Sequence, residues 1–133
     1  MKRDLIIHAR YKSAIKNNNC YVDDGLSFSP LKGDEKKSHV IDSNGGITLA
    51  IVKQTNNTLK WGIALCNKTD IYNKRIGRSI AIGRANKYGL VTSDIEFDTA
   101  ISLAKKLINH IYEVGYDSLN DICNEEQLLK LNS

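Results

Sequence analysis

Lys60-Trp-Gly-Ile-Ala-Leu-Cys66, continuing as Asn67-Lys-Thr-Asp-Ile-Tyr-Asn73 and Lys74-Arg-Ile-Gly-Arg-Ser-Ile-Ala-Ile-Gly-Arg84-Ala-Asn-Lys-Tyr-Gly89, is the stretch whose reading decides the fold. It opens as an apolar strand, and Asn67, Thr69 and Asp70 then compete to cap a helix. That helix is expected to run to about Lys87 and to stop at Gly89. Gly62, inside the strand, marks a bulge or a place where something approaches the backbone closely.

Upstream, Asp4–Arg10 reads as a short strand, with Arg10 at its exit. Residues 16–38 hold Asn17-Asn-Asn19, Asp23-Asp-Gly25, Pro30 and Lys32-Gly-Asp34, which predicts a long loop or a partly disordered segment. Asp42-Ser-Asn-Gly-Gly46 is a turn signal, and Ile47–Val52 is a strong strand. Gln54–Thr58 joins it to Leu59–Cys66 as an antiparallel hairpin. Downstream, Ser93-Asp-Ile-Glu96 matches a capping box. The helix it would open carries Phe97, Ala100, Ile101, Ala104, Leu107, Ile108 and Ile111 on one face. A short helix is expected near Glu126–Leu131. Strands precede helices, so the predicted class is α+β: one domain, 1–133, a small antiparallel sheet with two C-terminal helices on one face.

Composition sets outer bounds. The 133 residues are 41% apolar and 26% charged, in the range of a soluble globular domain. No apolar run approaches the ~20 residues of a membrane span, and the N-terminus lacks a signal peptide's apolar segment. Cys20, Cys66 and Cys123 are odd in number and widely spaced, as expected of reduced thiols. A cytoplasmic location is the default expectation. The net charge of +4 hides a polarity: residues 1–40 sum to +3, 41–93 to +6 and 94–133 to −5. The basic centre suits an anionic partner, or it pairs with acidic surfaces of neighbouring helices or subunits.

At 100° per residue the central helix groups its side chains. Tyr72, Ile76, Ile80 and Gly83 share the face expected to pack on the sheet. Lys74, Arg75 and Arg78 lie opposite. Asn73, Gly77 and Arg84 form an edge stripe: amide, bare backbone and a guanidinium fork for phosphate. The competing reading is that Gly77 and Gly83 permit close packing. Trp61 and Tyr72 are the aromatic residues placed to stack a base, although Trp61 equally suits a core. No catalytic set is visible. His8, His39 and His110 lack metal-ligand spacing, and Cys66 has no base nearby in sequence. The acids Asp23, Asp24, Asp34 and Glu35 sit in the expected loop, and Gly45-Gly46 is not part of a P-loop. Neither an enzyme nor a cofactor or metal site is expected.

The run Trp61–Arg84, with its strand ending Ala-Leu-Cys66 followed by Asp70-Ile-Tyr-Asn-Lys-Arg-Ile-Gly-Arg-Ser-Ile-Ala-Ile-Gly-Arg84, resembles the phage Thoeris anti-defence sponge family, first member type. The order of strands before two C-terminal helices also agrees. The resemblance implies a non-catalytic protein of the infected bacterial cytoplasm that sequesters cyclic ADP-ribose isomers made by immune TIR proteins. It implies a homo-oligomer, dimer or hexamer, with pockets between sheet and helix shared across protomers, and further sites for cyclic oligonucleotides. The candidate ligand-binding residues are thus Arg10, Ile63, Asn73 and Arg84 by this resemblance, together with Trp61, Tyr72 and Gly77 from the aromatic placement and helix geometry. Asn73 and Arg84 take anion-contacting roles, and Arg10 supplies a second phosphate contact. Ile63 stands where the family often has an aromatic, which weakens base stacking. The alternative is a nucleic-acid-binding or protein-inhibitor module using the basic helix 73–87. Nucleic acid is disfavoured because the arginines are not interleaved with exposed aromatics.

Overall fold

Side chains that point alternately to the two sides of a sheet decide this architecture. The computed structural model describes residues 1, 3–17 and 20–132. Strands β1 (Leu5–Lys16), β2 (Cys20–Ser27), β3 (His39–Lys53), β4 (Thr58–Ile71) and β5 (Leu90–Ser93) form one antiparallel sheet in the order β2-β1-β3-β4-β5. Helix α1 (Glu35–Ser38) is a single turn before β3, and α2 (Lys74–Tyr88) follows β4. Helix α3 (Phe97–Val114) follows β5, and α4 (Glu125–Leu129) lies near the end of the described chain. The predicted α+β class holds.

The β3–β4 hairpin forms as expected, with Ile51 opposite Trp61 and Leu49 opposite Ile63. Asn57 takes φ 59° in its turn, a conformation asparagine tolerates better than most residues. Ile7, Ala9, Ile47, Leu49, Ile51, Leu59, Trp61 and Ile63 point to one side, where α3 covers them with Leu103, Ala104, Leu107, Ile108 and Ile111. Thr48, Ala50, Gly62 and Ala64 point to the other side, where α2 packs. The two helices therefore lie on opposite faces, not on one. A strand buried on both faces has no need for polar alternation, which explains the unbroken Ile-Thr-Leu-Ala-Ile-Val run of β3.

Several boundaries also differ from the sequence reading. Asp42–Gly46 is not a turn: β3 runs through it, and the register breaks between Asn44 and Gly46. Gly45, at φ 78°, absorbs that bulge. The expected loop 16–38 contains β2 and α1, leaving Phe28–Asp34 irregular between them, while Asn18 and Asn19 lie outside the described residues. Strand β4 continues to Ile71, so neither Asn67, Thr69 nor Asp70 caps α2. Asn73 does, its side chain accepting from Ile76 N–H at 3.0 Å. Ser93 ends β5 and does not cap α3; its backbone N–H donates instead to Glu125 Oε1 at 3.2 Å. Among the described residues no helix is long and apolar enough to cross a membrane.

Candidate functional site

Helix α2 meets the sheet through Gly77, Ala81 and Ala85, all buried. Ile76 and Ile80, expected on that face, are 57% and 42% exposed, and Gly83 faces open space. The reason is backbone proximity: a Cβ added at Gly62 would lie 2.1 Å from Ala81 O, and one at Gly77 would lie 2.5 Å from Thr48 Oγ1. A helix seated this close needs small residues at i, i+4 and i+8, since an isoleucine stripe would hold it off. Gly77 thus serves packing, the competing reading given above.

Close seating brings the N-terminus of α2 against β1 and β3. Tyr72, 8% exposed, places its hydroxyl 2.6 Å from His8 Nδ1 and 2.7 Å from Thr48 Oγ1. His8 Nδ1 is itself 3.0 Å from Thr48 Oγ1. The Arg10 guanidinium lies 5.3 Å over the Tyr72 ring and donates from Nη2 to the Asp42 carbonyl at 2.9 Å. Arg10 Nε is buried with no acceptor among the described residues. An unsatisfied buried donor costs about 1–3 kcal/mol.

Beside this cluster, β2 pairs with β1 only from Arg10 onward. The edge of Leu5–His8 is therefore open, and it borders a cavity of about 460 Å³. Arg10 of β1, Lys74 of α2 and Lys105 of α3 reach this cavity from three elements, and His8, Phe28 and Pro30 also line it. Lys105 Nζ lies 5.5 Å over the Phe28 ring. Among the described residues no carboxylate lines the cavity. Among the described residues none pairs with Arg10, Lys74 or Lys105. Net positive potential in a concave, partly apolar site focuses on an anion.

The remaining predicted residues lie at the far end of α2. Arg84 Nη1 donates to the Ile63 carbonyl at 2.9 Å and to the Tyr116 hydroxyl at 3.2 Å. Strand β5 pairs with β4 only over Thr58–Trp61, so Arg84 satisfies a carbonyl on an otherwise open edge. A notch of about 210 Å³ there is walled by Trp61, Ile63, Arg84, Tyr88, Tyr116 and Leu119. Trp61 is 3% exposed and donates from Nε1 to Thr92 Oγ1 at 3.0 Å, so it presents little surface for stacking. The seven candidates thus divide three ways: Arg10 alone lines the cavity, Tyr72, Asn73 and Gly77 line a separate cleft of about 290 Å³ beside Thr48 and Ile76, and Trp61, Ile63 and Arg84 lie at the far end of α2.

Sequence reasoning assigned no role to His8, Lys74, Lys105 or Phe28 in this site. They come from four separated segments, so no spacing could link them. Other singled-out groups are used elsewhere. Asp23 bonds Lys68 at 3.1 Å, Asp24 pairs with His39, and Glu35 bonds Lys12 at 3.0 Å. Cys66 is half-buried mid-strand, its Sγ 3.5 Å from Asp70 O. Among the described residues no group of His, Cys, Asp and Glu is arranged to hold a metal.

Burial, then the nearby Lys74 and Arg78 cations, pushes the His8 imidazole below its usual 6.5. The unfolded chain therefore takes up a proton here that the folded one resists. This contribution to stability is whole above pH 6.5 and is lost as pH falls from there through the folded value. Urea midpoints at pH 7.5 and 5.5 should accordingly drop more for the natural protein than for His8→Gln; equal drops would remove His8 as a cause. No protein-family model, curated protein or solved structure compared with this chain matches it.

Proposed function

We propose that the protein binds a cyclic ADP-ribose-type nucleotide in the cavity between β1, α2 and α3 and withholds it unchanged, as a sink for a signal of bacterial anti-phage immunity. One observation carries this reading: Arg10, Lys74 and Lys105 converge from three elements on a cavity of about 460 Å³ that no carboxylate of the described residues lines. Cavities of roughly 300–1,000 Å³ accept ligands of this size. A diphosphate would take the cations, while Phe28, Pro30 and Ile41 offer apolar wall to the base and sugars. The sequence resemblance over Trp61–Arg84 supplies the ligand class. It also brings the expectation of a homo-oligomer, for which light scattering is the direct measure.

Titration calorimetry with cyclic ADP-ribose isomers, and with cyclic oligonucleotides as a second ligand class, tests the proposal. The expected result is saturable binding, with the ligand recovered at unaltered mass after heating. No heat with either class, or a recovered ligand of changed mass, would overturn it.

A further inference from the structure

The triangle of His8, Thr48 and Tyr72 favours one placement of the imidazole proton. Its three polar atoms are within 2.6–3.0 Å of one another. Two hydroxyl protons must find acceptors there. If Nδ1 accepts, the Tyr72 O–H donates to it and the Thr48 O–H donates to the Tyr72 oxygen, so both are used. If Nδ1 carried a proton, three protons would compete for two oxygens and one hydroxyl would lack an acceptor inside the triangle. Burial also holds the Tyr72 phenol above its usual 10.0, which keeps its proton available to donate. Neutral imidazole with an accepting Nδ1 carries its proton on Nε2. That atom has no partner among the described residues, and His8 lines the cation-bearing cavity.

We propose that His8 is a ligand-contacting residue, presenting a neutral Nε2–H donor of fixed tautomer to an uncharged oxygen of the bound nucleotide, a ribosyl hydroxyl or a base carbonyl. The inference rests on reading the cavity as a nucleotide site. Among the described residues the charged groups lining the cavity or acting on the imidazole are cationic: Arg10 beside it on β1, Lys74 and Arg78 on α2, and Lys105 on α3. Thr48 of β3 and Tyr72 after β4 meet it as neutral hydroxyls. With three cations taking the ligand's negative charge, a fourth positive group is disfavoured, whereas a neutral donor discriminates sugar or base from bare phosphate. Tyr72 and Thr48 act through His8 as positioning residues.

Two measurements test this separately. Nitrogen-15 NMR of the free protein at pH 7.5 is expected to show His8 neutral, with the proton on Nε2. An Nδ1–H tautomer or an imidazolium overturns the inference whether or not any ligand binds. Calorimetry of a cyclic ADP-ribose isomer is then run against inorganic pyrophosphate as the bare-anion probe. His8→Leu should weaken the nucleotide about fivefold to tenfold, the scale of one neutral hydrogen bond. It should leave pyrophosphate unchanged, and His8→Gln, which keeps a neutral N–H, should recover most of the loss. Nucleotide binding in two buffers of different ionisation heat should show no proton uptake. Equal weakening of both probes, unchanged nucleotide affinity in His8→Leu, or uptake of about one proton that the variant abolishes would each overturn the contact. A natural protein that binds no nucleotide removes the functional reading and the contact with it, while the NMR result still decides the tautomer.

Discussion

Gly62→Val will destabilise the protein by about 3 kcal/mol, at the upper end of overpacking substitutions. A Cβ at Gly62 would sit 2.1 Å from Ala81 O, 2.4 Å from Ala85 N and 2.8 Å from Ala85 Cα. All three are backbone atoms of α2, so no side-chain rotation relieves the clash. Either the helix lifts from β4 or the strand bends away, and each opens voids around Ala50, Ala64 and Ala81, which are buried together where α2 meets the sheet. The contrast is Gly83→Ala. That position faces open space, and alanine improves helix propensity by about 1 kcal/mol, so this variant should be slightly more stable. Urea unfolding followed by far-ultraviolet circular dichroism checks both. A Gly62→Val variant with an unchanged midpoint would show that α2 does not seat this closely.

Arg10→Ala will weaken nucleotide binding by about 1.5–3 kcal/mol, the cost of removing a charged hydrogen bond. Arg10 lines the cavity, stacked over Tyr72 and held by the Asp42 carbonyl. It forms no ion pair with a carboxylate of the described residues, so its charge remains for a ligand. Arg10→Lys keeps the charge but loses the planar fork, and should fall between the two. Calorimetry on variants with native circular dichroism separates binding from folding. Arg84→Ala supplies the discriminating comparison. Loss of affinity in Arg84→Ala with none in Arg10→Ala would move the ligand to the notch beside Tyr116.

Basic character survives folding in a way that favours an external anion. None of Lys74, Arg75, Arg78, Arg84 or Lys87 forms an ion pair with a carboxylate of the described residues. The opposite charges of the central and C-terminal thirds therefore do not neutralise each other through those side chains. Lys74 joins the cavity, which gives one member of the outward-facing set a use. Nothing in the structure explains Arg75.

Local pattern alone determined the α+β class, the β3–β4 hairpin, the buried face of α3 and the end of α2 at Gly89, because each rests on residues near one another in the chain. Periodicity over Phe97–Ile111 needs only helix geometry, and the hairpin needs two strands and a turn. Tertiary structure decided the rest. Whether β3 is covered on one face or two depends on a helix more than twenty residues away. Which side of α2 is buried depends on Gly62 and Thr48, since a shallow sheet surface selects Gly77, Ala81 and Ala85 over the larger Ile76 and Ile80. The candidate site follows the same rule. Arg10 and Tyr72 stood out as residue types, but the cavity exists only where β1, α2 and α3 bring Arg10, Lys74, Lys105 and His8 together, and convergence of separated segments leaves no spacing for a sequence to display.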